Sequence, residues 1–270
     1  MGNFYICPTP IGNLEDISYR TLEILKNVDV IFCEDTRRSR NLLNHFEIST
    51  PLKSFFLGNE FKKNFEIHNL LNEGVNIALI SDAGTPLVSD PGDELIKFLI
   101  SHNHIIISVP GPSSVLTALT VSGFNLKEFQ FLGFIPKSGK EKLDLFVKLM
   151  NASMPSVCFT SPKRVKKDLQ YFLENGLNSD VVVCRELTKK FETIYRGKIE
   201  KVLKELPVDV KGEITLVFGP SEQTSNLNFD LEEALKILLK SNISKRDIAK
   251  SLSLVSDYSV NELYEKIKDF

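Results

Sequence analysis

The sequence predicts an α/β protein with two α/β domains, a parallel-sheet N-terminal domain and a mixed-sheet second domain, followed by a small C-terminal helical module. Three observations predict it. Over the first 120 residues, short apolar runs alternate with stretches of helical period, the pattern of βα units around a parallel sheet. From about residue 129 the apolar runs crowd together, and two of them stand only five residues apart. So short a gap admits no crossover helix, so residues 185–196 read as an antiparallel hairpin in a mixed sheet. After Pro220 a Ser-, Asn- and Gln-rich linker leads into three short amphipathic stretches. The expected divisions are residues 1–123, 124–222 and 228–270, with a hinge near 123–127.

Five strands are expected in the first part, at residues 4–7, 28–33, 52–56, 76–81 and 105–109. Thr21, Leu22, Ile24, Leu25 and Val28 give the first helix its apolar face. Asp90 is the expected cap of the fourth helix, with Pro91 in its first turn, and the fifth helix is expected to start at Pro112-Ser113-Ser114. Strands of the second part are expected at 129–133, 157–160, 181–186, 192–196 and 213–219, and helices at 140–150, 163–175 and 199–206. The tail is expected to hold helices at 231–240, 245–252 and 260–267, the second capped by Ser244.

Composition excludes several classes. With 42% hydrophobic and 25% charged residues the chain matches an ordinary globular protein, and a net charge of -2 offers no overall steering toward nucleic acid. The start lacks a basic segment followed by a long apolar one, and no run of about 18 apolar residues occurs, so a cytoplasmic protein without a membrane partner is expected. Cys7, Cys33, Cys158 and Cys184 lie in β-like runs without metal-ligand spacing and read as buried free thiols. His45, His68, His102 and His104 are scattered, so no metal site is expected.

Three turn-rich loops follow apolar runs. The first is Pro8-Thr9-Pro10-Ile11-Gly12, whose prolines remove backbone donors and so disfavour a phosphate cradle. The turn-rich segment 80–92, which holds Asp82-Ala83-Gly84-Thr85-Pro86 and Ser89-Asp90, follows the fourth run and reads as a ligand loop, and Pro110-Gly111-Pro112-Ser113-Ser114-Val115 follows the fifth. Loops at the carboxyl ends of neighbouring parallel strands form the crevice where open α/β sheets bind small molecules. No Gly-x-Gly occurs, and the segment 133–141 has one residue too many for a Walker loop, so dinucleotides and nucleoside triphosphates are not the expected guests. Glu34-Asp35-Thr36-Arg37-Arg38-Ser39-Arg40 ends the second run with two carboxylates and opens a helix with three arginines. The arginines could grip phosphates or pair with Glu34 and Asp35.

With Glu34-Asp35-Thr36-Arg37 and Arg185-Glu186-Leu187-Thr188-Lys189, these loops resemble the tetrapyrrole methylase superfamily of S-adenosylmethionine-dependent enzymes. More narrowly they resemble its ribosomal RNA small-subunit methyltransferase I group, over nearly the whole chain. That group methylates a cytidine ribose 2′-hydroxyl in the decoding region of 16S rRNA. The resemblance implies a homodimer, a cofactor cleft between the two α/β domains, and 16S rRNA or the assembled small ribosomal subunit as partner. It implies that Pro10, Ile11, Gly12, Asp82, Ala83, Gly84, Thr85, Val88, Ser113, Ser114 and Val115 line S-adenosylmethionine from the first domain. Phe159, Thr160, Glu186, Glu213, Ile214 and Thr215 would do so from the second. The segment Leu57-Gly58-Asn59-Glu60 departs from the group, which usually carries a histidine-containing stretch there.

Methyl transfer from a sulfonium chiefly requires aligning the ribose oxygen behind the methyl group. Glu34, Asp35 and Lys189, at the edge of the expected cleft, are candidates to accept the hydroxyl proton. Arg37, Arg38, Arg40, Lys163 and Arg164 are candidates for the RNA backbone. Two rival readings remain, a tetrapyrrole methyltransferase and a noncatalytic RNA-binding assembly factor. The arginine-rich loop suits the first poorly, and the second would not need three converging Gly/Pro loops.

Overall fold

The computed structural model describes residues 1–56, 58, 60–221, 235, 238–239, 244–253 and 258–268. Continuous apolar runs make central parallel strands, because crossover helices cover both faces of such a sheet. β2 (Val30–Cys33) and β4 (Ile77–Ile80) are buried at every position, and β4 is the central strand, between β2 and β1 (Asn3–Cys7). With β3 (Leu52–Ser54) and β5 (Ile105–Ser108) the strands run parallel in the order β3-β2-β4-β1-β5. Among the described residues, five α-helices belong to this half: α1 (Tyr19–Asn27), α2 (Thr36–His45), α3 (Glu60–Asn72), α4 (Asp93–Ser101) and α5 (Ser114–Thr120). Alternation along the strands sorts the core into two layers. Phe4, Phe32 and Leu79 pack with Ile67, Leu71, Leu95 and Leu99 of α3 and α4, while Ile31, Ala78 and Ile80 pack with Leu25 and Leu43 of α1 and α2.

The second sheet holds β6 (Gln130–Phe134), β7 (Ser156–Thr160), β8 (Asp180–Arg185), β9 (Thr193–Lys198) and β10 (Ile214–Phe218), in the order β6-β7-β10-β8-β9. β6 and β7 are parallel, the other neighbours antiparallel, and β8 and β9 form the expected hairpin. One face is covered by α6 (Gly139–Met150), α7 (Val165–Glu174) and α8 (Ile199–Glu205) around Phe172 and Phe218. The other face, through Val157, Val182 and Val217, packs on Val115, Ala118 and Leu119 of α5. That helix therefore joins the two sheets, which lie in one compact unit, Met1–Ser221.

The unit Glu222–Phe270 has its own core, in which Leu235 packs with Ile248, Ala249 and Leu252 of α9 (Lys245–Leu252) and Leu263 and Ile267 of α10 (Val260–Lys268). The Ser244 hydroxyl accepts the Asp247 N–H and caps α9 as expected. The helix expected at 231–240 lies outside the described residues except at Leu235, Leu238 and Leu239. Among the described residues no helix is long and apolar enough to cross a membrane.

Two local expectations fail together, since Pro91 precedes α4 and does not stand in its first turn. Asp90 does not cap α4; Gly92 is its N-cap, at φ 124, and no side chain caps the helix. Leu87 (φ 74) and Ser89 (φ 68) turn the chain through the left-handed region, and the helix starts too late for Asp90 to reach its amides.

Candidate active site

The sheet order makes β1 the neighbour of both β4 and β5, so the three Gly/Pro loops leave adjacent strand ends. Backbone bonds lock them together. Thr9 and Gly84 exchange N–H···O bonds of 2.9 and 3.0 Å, and the Thr9 hydroxyl donates to the Ser81 carbonyl (3.1 Å). The Ser81 hydroxyl donates to the Gly84 carbonyl (3.0 Å), and the Thr85 hydroxyl to the Pro112 carbonyl (3.0 Å). Gly84 sits at φ 82, where a side chain would be strained. Together these loops floor a cleft of about 500 Å³ whose opposite wall is built from the second sheet.

The first-half wall carries Ile11, Glu34, Arg38, Asp82 to Thr85, Val88 to Asp90 and Ser113 to Val115. Asp82 is held in place: it accepts the Asp35 N–H (3.2 Å) and pairs with Arg38 (3.1 Å). Asp90 has no hydrogen-bond donor or cation on its carboxylate among the described residues. Burial, then the nearby charges of Glu34 and Asp82, push its pKa up to about 6. Arg38 is the one cationic side chain among the described residues lining the cleft, so the site is net acidic.

The opposite wall carries Phe134, Phe159 to Pro162, Cys184, Leu187 and Gly212 to Thr215. Phe134 and Phe159 meet edge to face at 5.3 Å. The Thr160 hydroxyl points away from the cleft, donating to Asp168 (2.7 Å), a buried carboxylate that also pairs with Lys142 (2.7 Å) and Arg164 (3.2 Å). All four cysteines are free and buried, and burial pushes Cys184 up to about 12, so no thiolate faces the cleft.

Most of the residues expected to line a cofactor stand on the cleft: Ile11, Asp82, Ala83, Gly84, Thr85, Val88, Ser113, Ser114, Val115, Phe159, Thr160, Glu213, Ile214 and Thr215. Pro10, Gly12 and Glu186, also expected there, are not among the residues that line it. Glu186 accepts the Glu213 N–H (2.8 Å) and pairs with Lys189 (2.9 Å), which also reaches Glu213 (2.8 Å). Two ion pairs hold Lys189 charged, with its pKa raised above the ordinary lysine value by Glu186 and Glu213 against the opposing effect of burial. Asp35 is half-buried, caps α2, and is drawn down to about 2 chiefly by its hydrogen bonds with Arg37. Glu34 is the one of the three acid–base candidates on the cleft wall.

Among the arginines, Arg37 pairs with Asp35 and Arg38 with Asp82, while Arg164 donates to the Ile135 and Pro136 carbonyls and braces the second sheet. The sequence reading did not name Phe134, Ser161, Pro162, Cys184, Leu187 and Gly212 as lining residues, and it placed Ser89 and Asp90 in the ligand loop 80–92 without assigning them a contact. Asp90 alone had a legible signal, a carboxylate in the same Gly/Pro-rich segment, but it reads equally well as a helix cap.

Two α/β sheets enclosing a loop-floored cleft define the class: residues 3–203 match the family profile of the tetrapyrrole (corrin/porphyrin) methylases. Proteins called ribosomal RNA small subunit methyltransferase I are similar over most of their length. That of Mycoplasmopsis pulmonis is 44% identical over 220 residues, 81% of this chain and 98% of the relative. That of Rickettsia prowazekii is 37% identical over 269 residues, 97% and 95% of the two chains. At this identity and coverage the chain belongs to the ribosomal RNA small subunit methyltransferase I family of the tetrapyrrole methylases. Solved structures share the fold at low identity. Diphthine synthase aligns at TM-score 0.65 with 11% identity, covering 81% of this chain and 90% of its own. Uroporphyrin-III C-methyltransferase of Thermus thermophilus, complexed with S-adenyl homocysteine, aligns at 0.55 with 17% identity over 81% and 97%.

Proposed function

We propose that the protein is an S-adenosylmethionine-dependent methyltransferase that acts on the 2′-hydroxyl of a cytidine in the decoding region of 16S rRNA. The observation that carries this reading is the cleft itself, where three loops distant in sequence converge opposite the second sheet, in a chain whose relatives bear the rRNA methyltransferase name. The lining fits the methyl donor. Glu34, Asp82 and Glu213 against Arg38 make an acidic site suited to a ligand carrying a sulfonium and an ammonium, and hostile to polyphosphate. A volume near 500 Å³ is in the range of nucleoside-sized ligands.

Bound S-adenosylmethionine supplies a methyl group already activated by its sulfonium, so the protein's contribution is placement and proton handling. In this reading Phe134 and Phe159 give the adenine an apolar wall. The Asp82 to Thr85 loop and Ser113 to Val115 hold the donor from the first half, and Glu213, Ile214 and Thr215 hold it from the second. Pro10, Gly12, Thr160 and Glu186 support those contacts from behind. Arg37, Arg38, Arg40 and Lys163 face the RNA backbone. The domain description 1–123, 124–222 and 228–270, a homodimer, a small-subunit substrate and a cytoplasmic location complete the proposal.

Purified protein incubated with labelled S-adenosylmethionine and either free 16S rRNA or small subunits tests it. Nuclease digestion and mass spectrometry should reveal 2′-O-methylcytidine with one substrate or both. Label confined to bases, or absent from both RNAs, would remove the proposal.

A further inference from the structure

Resting on the methyltransferase reading of the cleft, we propose that Asp90 takes the proton from the ribose 2′-hydroxyl as its oxygen is methylated. The placement of this side chain is unusual. It stands on the cleft wall beside Glu34 and Asp82, and it also borders a small recess that Phe55, Leu79, Ile80, Pro86 and Pro91 form with Glu34 and Ser81. Its side chain thus stands between the cleft and a recess that is apolar except for Glu34 and Ser81. The neighbouring carboxylates are otherwise engaged or exposed: Asp82 holds Arg38 and the Asp35 N–H, Glu213 holds Lys189, and Glu34 is exposed.

The backbone around Asp90 is costly to form. Leu87 and Ser89 occupy the left-handed region at φ 74 and 68, and neither has the freedom of glycine there. Such strain, sited on a ligand cleft, is a reason to look for a function in the residue it delivers. The charged groups that bear on Asp90 are Glu34, which follows β2, and Asp82, in its own loop after β4; Arg38 lines the same cleft and is paired with Asp82. Burial and the two acids leave a carboxylate that is ionised at neutral pH and more basic than an exposed aspartate, which is the property a base acting on a hydroxyl requires.

The step balances. The ribose oxygen forms its bond to the methyl carbon as the carbon–sulfur bond breaks and its electron pair stays on sulfur. The hydroxyl proton passes to Asp90, which returns it to solvent when product leaves. No oxidant or further reactant takes part.

Single-turnover methyl transfer to the RNA substrate, measured from about pH 5 to about pH 8.5, tests the assignment on wild type, Asp90→Asn and Asp90→Glu. Asp90→Asn should be slower by about 10²- to 10⁴-fold, and Asp90→Glu should recover part of the loss. Binding of S-adenosylhomocysteine to Asp90→Asn should stay within about threefold of wild type, because the group acts on the hydroxyl. The wild-type rate should fall below a pH of about 6, and carboxyl-labelled protein should show one carbon titrating there that is missing from Asp90→Asn. A rate for Asp90→Asn within about threefold of wild type, or a rate loss matched by lost S-adenosylhomocysteine binding, overturns the assignment. Wild type that transfers no methyl group to rRNA overturns the functional reading itself, a different result from an active wild type with an active Asp90→Asn.

Discussion

The stem of Lys189 lies directly on Gly12: a Cβ at position 12 would stand 2.3 Å from Lys189 Cγ. The same lysine ends between Glu186 and Glu213, and the neighbouring Asn13 N–H donates to the Thr188 hydroxyl (3.1 Å). The first loop of the cleft and the turn between β8 and β9 are therefore clasped together. Gly12→Ala should push the lysine out and break at least one of its ion pairs, at a cost of about 1 kcal/mol, since these pairs are partly exposed. It should also weaken S-adenosylhomocysteine binding, because Glu213 lines the cleft. Thermal unfolding and calorimetric titration of the variant would check this, and wild-type values in both would refute it.

Asp168 should be the most sensitive polar position in the second sheet. It is 1% exposed, pairs with the 5% exposed Lys142 at 2.7 Å, and accepts the Thr160 hydroxyl behind the cleft. Asp168→Asn leaves a buried ammonium without its counter-charge and should cost about 3 kcal/mol in urea unfolding. Replacing both partners with Lys142→Met and Asp168→Leu should recover part of that loss, because the buried ammonium is gone while the Thr160 hydroxyl and Arg164 still lose their acceptor. A double variant no more stable than the single one would contradict this view.

Asp90 should lower stability at neutral pH. Its folded pKa of about 6 lies above the ordinary 3.8, so the folded state binds the extra proton between these values. Stability tied to this group is full below the unfolded value and is lost as pH rises through about 6. Asp90→Asn should therefore be more stable than wild type at neutral pH, by about 1 kcal/mol after allowance for solvent screening, with the gain vanishing in acid. Denaturant midpoints at both ends of the range would show whether the gain has this pH dependence.

His104 behaves in the opposite sense. Burial, and then the charges of His68 and His102, hold its pKa below the ordinary value, and its Nε2 lies 2.8 Å from His68 Nδ1. Neutral His104 leaves stability intact above the unfolded value of 6.5. As pH falls below it, the unfolded chain takes the proton more readily and stability drops. His104→Asn should flatten that acid slope, which a series of unfolding curves would record; an unchanged slope would assign the loss elsewhere.

Local pattern revealed much of this molecule. Apolar runs such as 76–81, followed by Gly and Pro, marked both the buried strands and the loops that floor the cleft, since strand burial and turn chemistry are each written within a few residues. The hairpin was legible from loop length alone. What escaped was created by tertiary placement. Phe134, Cys184, Leu187 and Gly212 reach the cleft because α5 packs against the second sheet, a contact no short window contains. Asp90 was misread because Asp-Pro before an apolar stretch suggests a cap equally well, and the positive φ of Leu87 and Ser89 has no signature in those residue types. Lys189 and Asp35 were visible as charges, but their ion-pair partners depend on the fold.

The reciprocal bonds between Thr9 and Gly84 bear on the thermodynamics of ligand capture. Each loop satisfies the other's amide and carbonyl, so an empty cleft leaves no pair of loose strands to be stitched shut around a guest. The floor is ordered before anything arrives, and the entropy lost on binding falls mainly on the ligand and on side chains such as Arg38 that must turn to meet it.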